Sequence, residues 1–238
     1  MGNPVRLHMN TDNHTDKTPA AKYSHSKAHQ PTSFNKTKKL ILISLPVVAL
    51  ICVIGYFAID LPVAKYCKSV FSDYKIRRIL KDISKLGIAT VYLVFTGVAF
   101  VFFRFIEKRE LWSNRALFVF LSISLSGILV IITKFIFGRY RPKMFFEEQL
   151  YGFQFFQLKG KLTSFPSGHS STIVALLLSL YLINPKYKVF YFVIGLAIVL
   201  TRVAVYHHFL TDVIFGSYLA AVTTLCLKHF LDKKGLTV

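Results

Sequence analysis

Residues 116–138 read ALFVFLSISLSGILVIITKFIFG, twenty-three residues carrying a single charge, Lys134. An α-helix rises about 1.5 Å per residue, and a hydrocarbon core about 30 Å thick needs roughly 20 apolar residues to cross it. This stretch is long enough to span a membrane, and other apolar blocks repeat the pattern on both sides of it. They cover 40–59, 87–105, 168–184, 188–206 and 210–229, with Pro185 marking a tight turn between the fourth and fifth blocks. Together the blocks predict an all-α polytopic membrane protein with six transmembrane helices in a bundle. Composition agrees, because 53% of the 238 residues are hydrophobic and 23 are Phe, which is heavy for a soluble domain of this size.

Outward from the spans, the chain changes character. Residues 1–39 are polar and basic and hold no sustained aliphatic run, so they predict a disordered cytoplasmic tail that cannot offset its chain entropy by burial. Its histidines, His8, His14, His25 and His29, have irregular spacing and no cysteine beside them, which argues against a metal site. The tail is too long for an ordinary signal-peptide n-region, so the first apolar block reads as a retained helix. Residues 40–230 form the transmembrane domain, and 231–238 a short C-terminal tail. Between the first two spans, 61–86 sets Lys65, Lys68, Lys75, Arg77, Arg78, Lys81 and Lys85 among Val70, Ile76, Ile79, Leu80 and Ile83; this predicts an amphipathic interfacial segment.

A formal charge of +19 would suggest nucleic acid in a soluble chain. Here the basic residues sit in the tail and between apolar blocks, where anionic headgroups attract them. No zinc-finger cysteines and no basic helix joined to a dimerising heptad accompany them, so no nucleic-acid partner is expected. Cys52, Cys67 and Cys226 form no motif, and Cys52 and Cys226 read as small buried hydrophobes. Lys and Arg number sixteen in the segments facing one side (the tail, 104–115, 185–188 and the C-terminal end from Lys228) and twelve in 61–86 and 139–165. That bias places both termini in the cytoplasm.

Charges within or beside spans are costly and mark function. Three clusters qualify: Lys134 and Arg141-Pro142 after the third span, Pro166-Ser167-Gly168-His169 opening the fourth, and Arg202, His208 and Asp212 between the fifth and sixth. With the termini inside, all three arrive at the outer face. Lys134 and Arg141 are two turns apart and share a face if the helix persists. With Arg202 they supply three cations. Ser167 and Gly168, in a first helical turn that Pro166 also suits, offer free N–H groups to an anion. Such a donor set fits a phosphate better than a carboxylate. His208 and Asp212, four apart, lie on one helix face, so that the carboxylate can fix the imidazole tautomer for attack. His169 is then available as a general acid. Asp212 is the one acid in the three clusters, too few for a magnesium site, so neither metal nor cofactor is expected.

The spacing Lys134-x6-Arg141-Pro142, the intact Pro166-Ser167-Gly168-His169 and Thr201-Arg202-x5-His208-x3-Asp212 resemble the three-part signature of the type 2 phosphatidic acid phosphatase family. Thr201 stands where that family usually has Ser and keeps the hydroxyl. The resemblance implies that His208 forms a phosphohistidine, Asp212 orients it and His169 protonates the leaving oxygen. Lys134, Arg141, Ser167, Gly168 and Arg202 would hold the phosphoryl oxygens. It further implies a membrane lipid substrate such as phosphatidate, phosphatidylglycerol phosphate, undecaprenyl diphosphate or lipid A, in a bacterial inner membrane with the site on the periplasmic face. A phosphotransferase with the same intermediate and a non-catalytic binder of phosphorylated lipids are the competing readings; a vanadate haloperoxidase shares the pocket but not six spans. Remaining expectations concern single residues. His207 reads as a spacer or a lining residue beside His208, Asp60 as facing headgroups, and Glu147 and Glu148 as solvated, with gating of the site as their alternative. Arg139, Lys143, Lys159 and Lys161 read as extra cations for a second phosphate. The loop aromatics Tyr140, Phe145, Phe146, Tyr151, Phe153, Phe155, Phe156 and Phe165 are expected at the interface.

Overall fold

The computed structural model describes Gly2, residues 34–157 and residues 159–238, and among the described residues nine α-helices follow from the apolar blocks and their punctuation. They are α1 (Phe34–Ala58), α2 (Asp60–Val70), α3 (Tyr74–Ser84), α4 (Ala89–Val101), α5 (Glu110–Phe137), α6 (Pro142–Glu148), α7 (Gly168–Ile183), α8 (Lys188–Ala204) and α9 (Leu210–Lys233). A π-helical turn, Phe102–Ile106, prolongs α4. The described residues from 34 onward belong to one compact unit. The expectation of disorder for 1–39 falls largely outside the described residues; α1 begins at Phe34, six residues earlier than the apolar run alone suggests.

Among the described residues, five helical segments are long and apolar enough to cross a membrane: Thr37–Ala58, Tyr74–Ile106, Glu110–Phe137, Pro185–Ala204 and Leu210–Lys233. The sixth expected span, α7, has 16 residues. It is also the most enclosed helix, packed against α5, α8 and α9, so protein rather than lipid covers most of its length. Side chains are distributed inside out relative to a soluble protein. Phe57 is 80% exposed and Phe95 72%, whereas Ser122 and Ser126 of α5, Ser170 and Ser179 of α7 and Thr224 of α9 are fully buried. Lipid removes the hydrophobic drive between helices, so small residues that permit close approach carry the contacts. Cys67 is buried among Ile173, Ile198 and Val213, but Cys226 is exposed, contrary to its reading as a buried hydrophobe.

Local signals set the element ends. Gly138, at φ +52°, takes the left-handed conformation that stops α5, and a Cβ there would lie 1.9 Å from the Gln154 carbonyl oxygen. Asp73 caps α3 by accepting from the N–H groups of Lys75 at 2.7 Å and Ile76 at 3.1 Å. That cap divides the amphipathic stretch into α2 and α3. At the other end of the chain, α9 runs on to Lys233, and Leu236 and Val238 pack on buried Phe118 and Leu231. The C-terminal residues are therefore part of the fold.

Helix α1 runs antiparallel to α9. Ser44 Oγ lies 3.1 Å from the Tyr218 hydroxyl, while Gly55, eleven positions later in α1, meets Thr211 near the start of α9. The two ends of the bundle are thereby distinct. At one end lie the start of α1 and the finish of α9. The other gathers the finishes of α1, α5 and α8 with the starts of α7 and α9.

Candidate active site

A buried ion-pair frame organises that second end. Arg139 follows the α5 stop and is 1% exposed. Its Nη1 donates to Asp212 Oδ1 at 2.6 Å and Thr211 Oγ1 at 2.8 Å, and its Nη2 donates to Asp60 Oδ2 at 2.7 Å and the Tyr151 hydroxyl at 3.2 Å. Asp60 accepts in addition from Thr211, at 3.0 Å from its N–H and 2.5 Å from its hydroxyl. The rings of Tyr56, Tyr151, Phe153 and Phe209 surround the guanidinium at 4.4–5.7 Å. Burial works against the Arg139 charge, but the facing Asp212 and Asp60 carboxylates outweigh it and hold its pKa above the ordinary value. Two expectations change here. Asp60 is fully buried and faces Arg139 rather than headgroups, and Arg139 is committed to the frame and unavailable to a second phosphate.

On this frame sits His208, 3% exposed, in the short turn between α8 and α9. Its Nδ1 lies 2.7 Å from the Ser164 carbonyl oxygen. A carbonyl only accepts, so Nδ1 carries the proton and Nε2 keeps the lone pair. Asp212 Oδ2 is 3.7 Å from the same nitrogen, beyond hydrogen-bond reach. It instead accepts from Ser164 Oγ at 2.5 Å and from the Phe209 N–H at 2.8 Å. The carboxylate therefore fixes the residue whose carbonyl fixes the imidazole. Burial pushes the His208 pKa well below the usual imidazole range, against the opposing pull of Asp212.

The expected cations meet at the loop entering α7. Lys134 Nζ donates to the Thr163 carbonyl, while Arg141 Nη2 donates to Thr163 Oγ1 at 3.0 Å and its Nε to the Gly160 carbonyl at 3.1 Å. They do not share a helix face, because α5 stops at Phe137 and Arg141 lies on extended backbone before α6. They converge through the loop instead. Arg202 Nη1 donates to Ser84 Oγ, and its Nη2 to His207 Nδ1 at 3.2 Å. Lys134, Arg141 and Arg202 stand close enough to repel one another, and all three act on His169. An anion placed among them would relieve that repulsion. His207 is more than a spacer: burial, with Arg202 and Arg141 beside it, pushes its pKa down to about 4, so it stays neutral and accepts from Arg202.

Ser167 is the N-cap of α7 rather than a first-turn residue, its Oγ accepting from the Ser170 hydroxyl at 2.8 Å, and Gly168 begins the helix. Pro166 precedes the cap. Gly216 lets α9 approach closely, since a Cβ there would lie 2.6 Å from the Ser167 carbonyl oxygen. The same carbonyl accepts from the Ser171 N–H, and the Ser167 N–H donates to the Asp212 carbonyl at 2.9 Å.

Several participants escape a reading by motif. Ser84 touches Arg202, and a Cβ on Gly87 would lie 2.8 Å from that of His169. Thr163, Ser164, Thr211 and Tyr151 position the cations and the frame. Gly216 had a readable signal, one helical turn beyond Asp212 on the same face. Of the remaining loop groups, Glu147 and Glu148 are exposed and pair with Lys143 and Lys161 at 3.6 and 2.7 Å. The loop aromatics divide: Tyr151 and Phe153 enclose Arg139, Phe165 is buried against Phe137 and Phe215, and Phe155 and Phe156 remain exposed. Among the described residues, no three or more His, Cys, Asp or Glu side chains are grouped to hold a metal ion.

Comparison with known proteins places this geometry. The PAP2 superfamily matches residues 115–236, just over half of the chain and all three charged clusters. The chain belongs to the PAP2 superfamily. Among curated relatives, the lipid A 1-phosphatases of Rhizobium johnstonii and Rhizobium etli are each 32% identical over 112 residues, 45% of this chain. The chain spans about half the length of these relatives, 46% and 48%. Two crystal structures share the fold. The transmembrane PAP2-type phosphatidylglycerolphosphate phosphatase of Bacillus subtilis aligns with a TM-score of 0.58 at 22% identity, over 83% of this chain and 96% of its own. Aquifex aeolicus LpxE aligns at 0.55 and 20%, over 74% and 98%. The PAP2 match begins in α5, so Asp60, Ser84 and Gly87 reach the site from helices outside it.

Proposed function

We propose that this PAP2 member is a metal-independent lipid phosphatase that works through a phosphohistidine on His208. The observation that carries the reading is the buried His208, its Nδ1–H directed at the Ser164 carbonyl, with Nε2 left as an acceptor and with Lys134 and Arg202 nearby. In the first step Nε2 attacks phosphorus, the bond to the lipid oxygen breaks, and His169 donates a proton to that oxygen. In the second, water attacks phosphorus, the N–P bond breaks, and its proton passes to His169, restoring both histidines. Lys134, Arg141 and Arg202 stabilise charge on the phosphoryl oxygens, with Gly168 and the α7 N-terminus. Asp60 and Asp212 are already committed to Arg139, which leaves cations rather than carboxylates to face the phosphate.

The chain would cross a bacterial inner membrane six times, with the site at the outer, periplasmic face. Its substrate is a phosphomonoester or diphosphate at headgroup level, and likeness to lipid A 1-phosphatases makes lipid A the first substrate to try. The test is phosphate release by purified protein in detergent with EDTA, offered phosphatidate, phosphatidylglycerol phosphate, undecaprenyl diphosphate and lipid A. Release from at least one lipid should survive EDTA and fall about a thousandfold or more in His208→Ala. Release that EDTA stops, or that His208→Ala leaves intact, overturns the mechanism. Release seen only when a lipid hydroxyl acceptor is added would make it a phosphotransferase.

A further inference from the structure

Beside the catalytic end, α2 and α6 enclose an open groove of about 560 Å³ lined by Lys65, Lys68, Ser69, Phe145, Phe146 and Gln149. Lys65, Lys68 and Ser69 stand at positions i, i+3 and i+4 of α2 and so present one face to α6. The Lys68 ammonium lies 4.2 Å from the centre of the Phe146 ring, and that of Lys65 lies 5.5 Å from the centre of Phe145. Neither lysine pairs with a carboxylate among the described residues, although Glu147 and Glu148 follow Phe146 on α6. Two ammonium groups without counter-ions, beside ring faces and two neutral polar side chains, make a receptor for an anion carried on a partly apolar frame.

The groove is joined to the site on two sides. Helix α6 starts at Pro142, directly after Arg141, and Phe146 meets the Tyr206 ring edge-on at 6.1 Å, one residue before His207. Helix α2 starts at Asp60, which the frame holds through Arg139. Phe145 and Phe146 are three and four residues along α6 from Pro142, about 4.5–6 Å of helix rise. With that stretch of α6 between Arg141 and the groove, an anion held by the lysines would be joined to the phosphate through a spacer such as glycerol or a sugar rather than through the single bridging oxygen of a diphosphate.

We propose that this groove is a headgroup subsite, in which Lys65 and Lys68 bind a second anionic group of the substrate lipid, spaced from the phosphate that His208 attacks. The inference rests on the phosphatase reading for its substrate. It assigns specificity to α2 and α6 and makes no use of the catalytic histidines.

Both lysines are exposed, so a Lys65→Ala/Lys68→Ala variant should fold normally, and Lys65→Arg/Lys68→Arg serves as the charge-preserving control. Steady-state hydrolysis would be compared for phosphatidate, which lacks a spaced second anion, and for phosphatidylglycerol phosphate and lipid A, which carry one. The expected result is a KM raised about fivefold to tenfold for one or both of the latter, with kcat and phosphatidate hydrolysis little changed and the arginine variant close to wild type. Equal effects on all three lipids, or none, overturn the proposal. So does activation of phosphatidate hydrolysis by added phosphatidylglycerol that the alanine variant abolishes, which would assign the groove to a bystander lipid. Equilibrium binding of lipid A and phosphatidate in the His208→Ala background reads the subsite without turnover. A wild-type protein that hydrolyses nothing, yet loses lipid A affinity selectively in the alanine variant, would sink the phosphatase and keep the subsite.

Discussion

Arg139 balances two buried carboxylates with one guanidinium, and that imbalance sets what its removal does. Every carboxylate oxygen of Asp60 and Asp212 accepts at least one hydrogen bond, so the two acids are satisfied as they stand, while Arg139 Nε is buried without a partner. Without Arg139 the two acids would face each other in a medium that cannot solvate them. Breaking a buried pair from one side costs about 3–5 kcal/mol, far more than the pair is worth against an apolar replacement. Arg139→Met is therefore expected to lower the melting temperature in detergent steeply, and Asp60→Asn added to it should recover part of the loss, because one uncompensated charge is gone. A normal melting temperature with activity lost would instead place Arg139 against the substrate. Charge and position suggest such a substrate-facing role for Arg139 when the chain is read alone. What decides otherwise is Asp60, 79 residues away and outside every motif.

At the scale of elements, the apolar blocks predicted where helices lie because length and hydropathy are local properties. The six expected blocks correspond to α1, α4, α5, α7, α8 and α9, with ends displaced by a few residues where caps, not hydropathy, decide. The charged clusters were legible for a related reason: charge within an apolar context stands out along the chain. Illegible were the small and neutral residues that bring elements together. Ser84 and Gly87, at the close of α3 and in the turn after it, touch Arg202 and His169, yet a serine and a glycine in a basic amphipathic stretch carry no signal of that contact. The turn is packed on α7, and a methyl group on Gly87 would lie 2.8 Å from the His169 Cβ. Real Cβ atoms do not approach so closely, so His169 has to shift. Displacement of a proton donor by about 1 Å can cost about a hundredfold in rate. Gly87→Ala should thus lower kcat by tenfold to a hundredfold while leaving lipid binding to the three cations nearly intact. Unchanged turnover in a folded Gly87→Ala protein would remove this turn from the positioning of His169.

Over the whole molecule, the antiparallel packing of α1 on α9 fixes which ends of the chain share a side. Ser44 meets Tyr218, Gly55 meets Thr211, and Thr37 and Leu42 lie near Cys226 and His229, so α1 starts where α9 finishes. Lys134, Arg141, Arg202, His169 and His208 gather at the opposite end. An even number of crossings between α1 and α9 is the arrangement that satisfies both facts, and α7, with 16 residues, would have to cross to supply it. The surplus of Lys and Arg would then put both termini in the cytoplasm, because cytoplasmic segments retain basic residues during insertion. Single cysteines in a background with Cys52, Cys67 and Cys226 replaced by Ala would test this directly. Lys159→Cys, in the loop that carries Thr163 and Ser164, should react with a membrane-impermeant thiol reagent applied from outside, and Lys234→Cys, after α9, should react only once the membrane is opened. The reverse pattern would keep the fold and invert the orientation, moving the site to the cytoplasmic leaflet. Labelling of both from one side would mean that one helix does not cross, and α7, the shortest and most enclosed, would be the one in question.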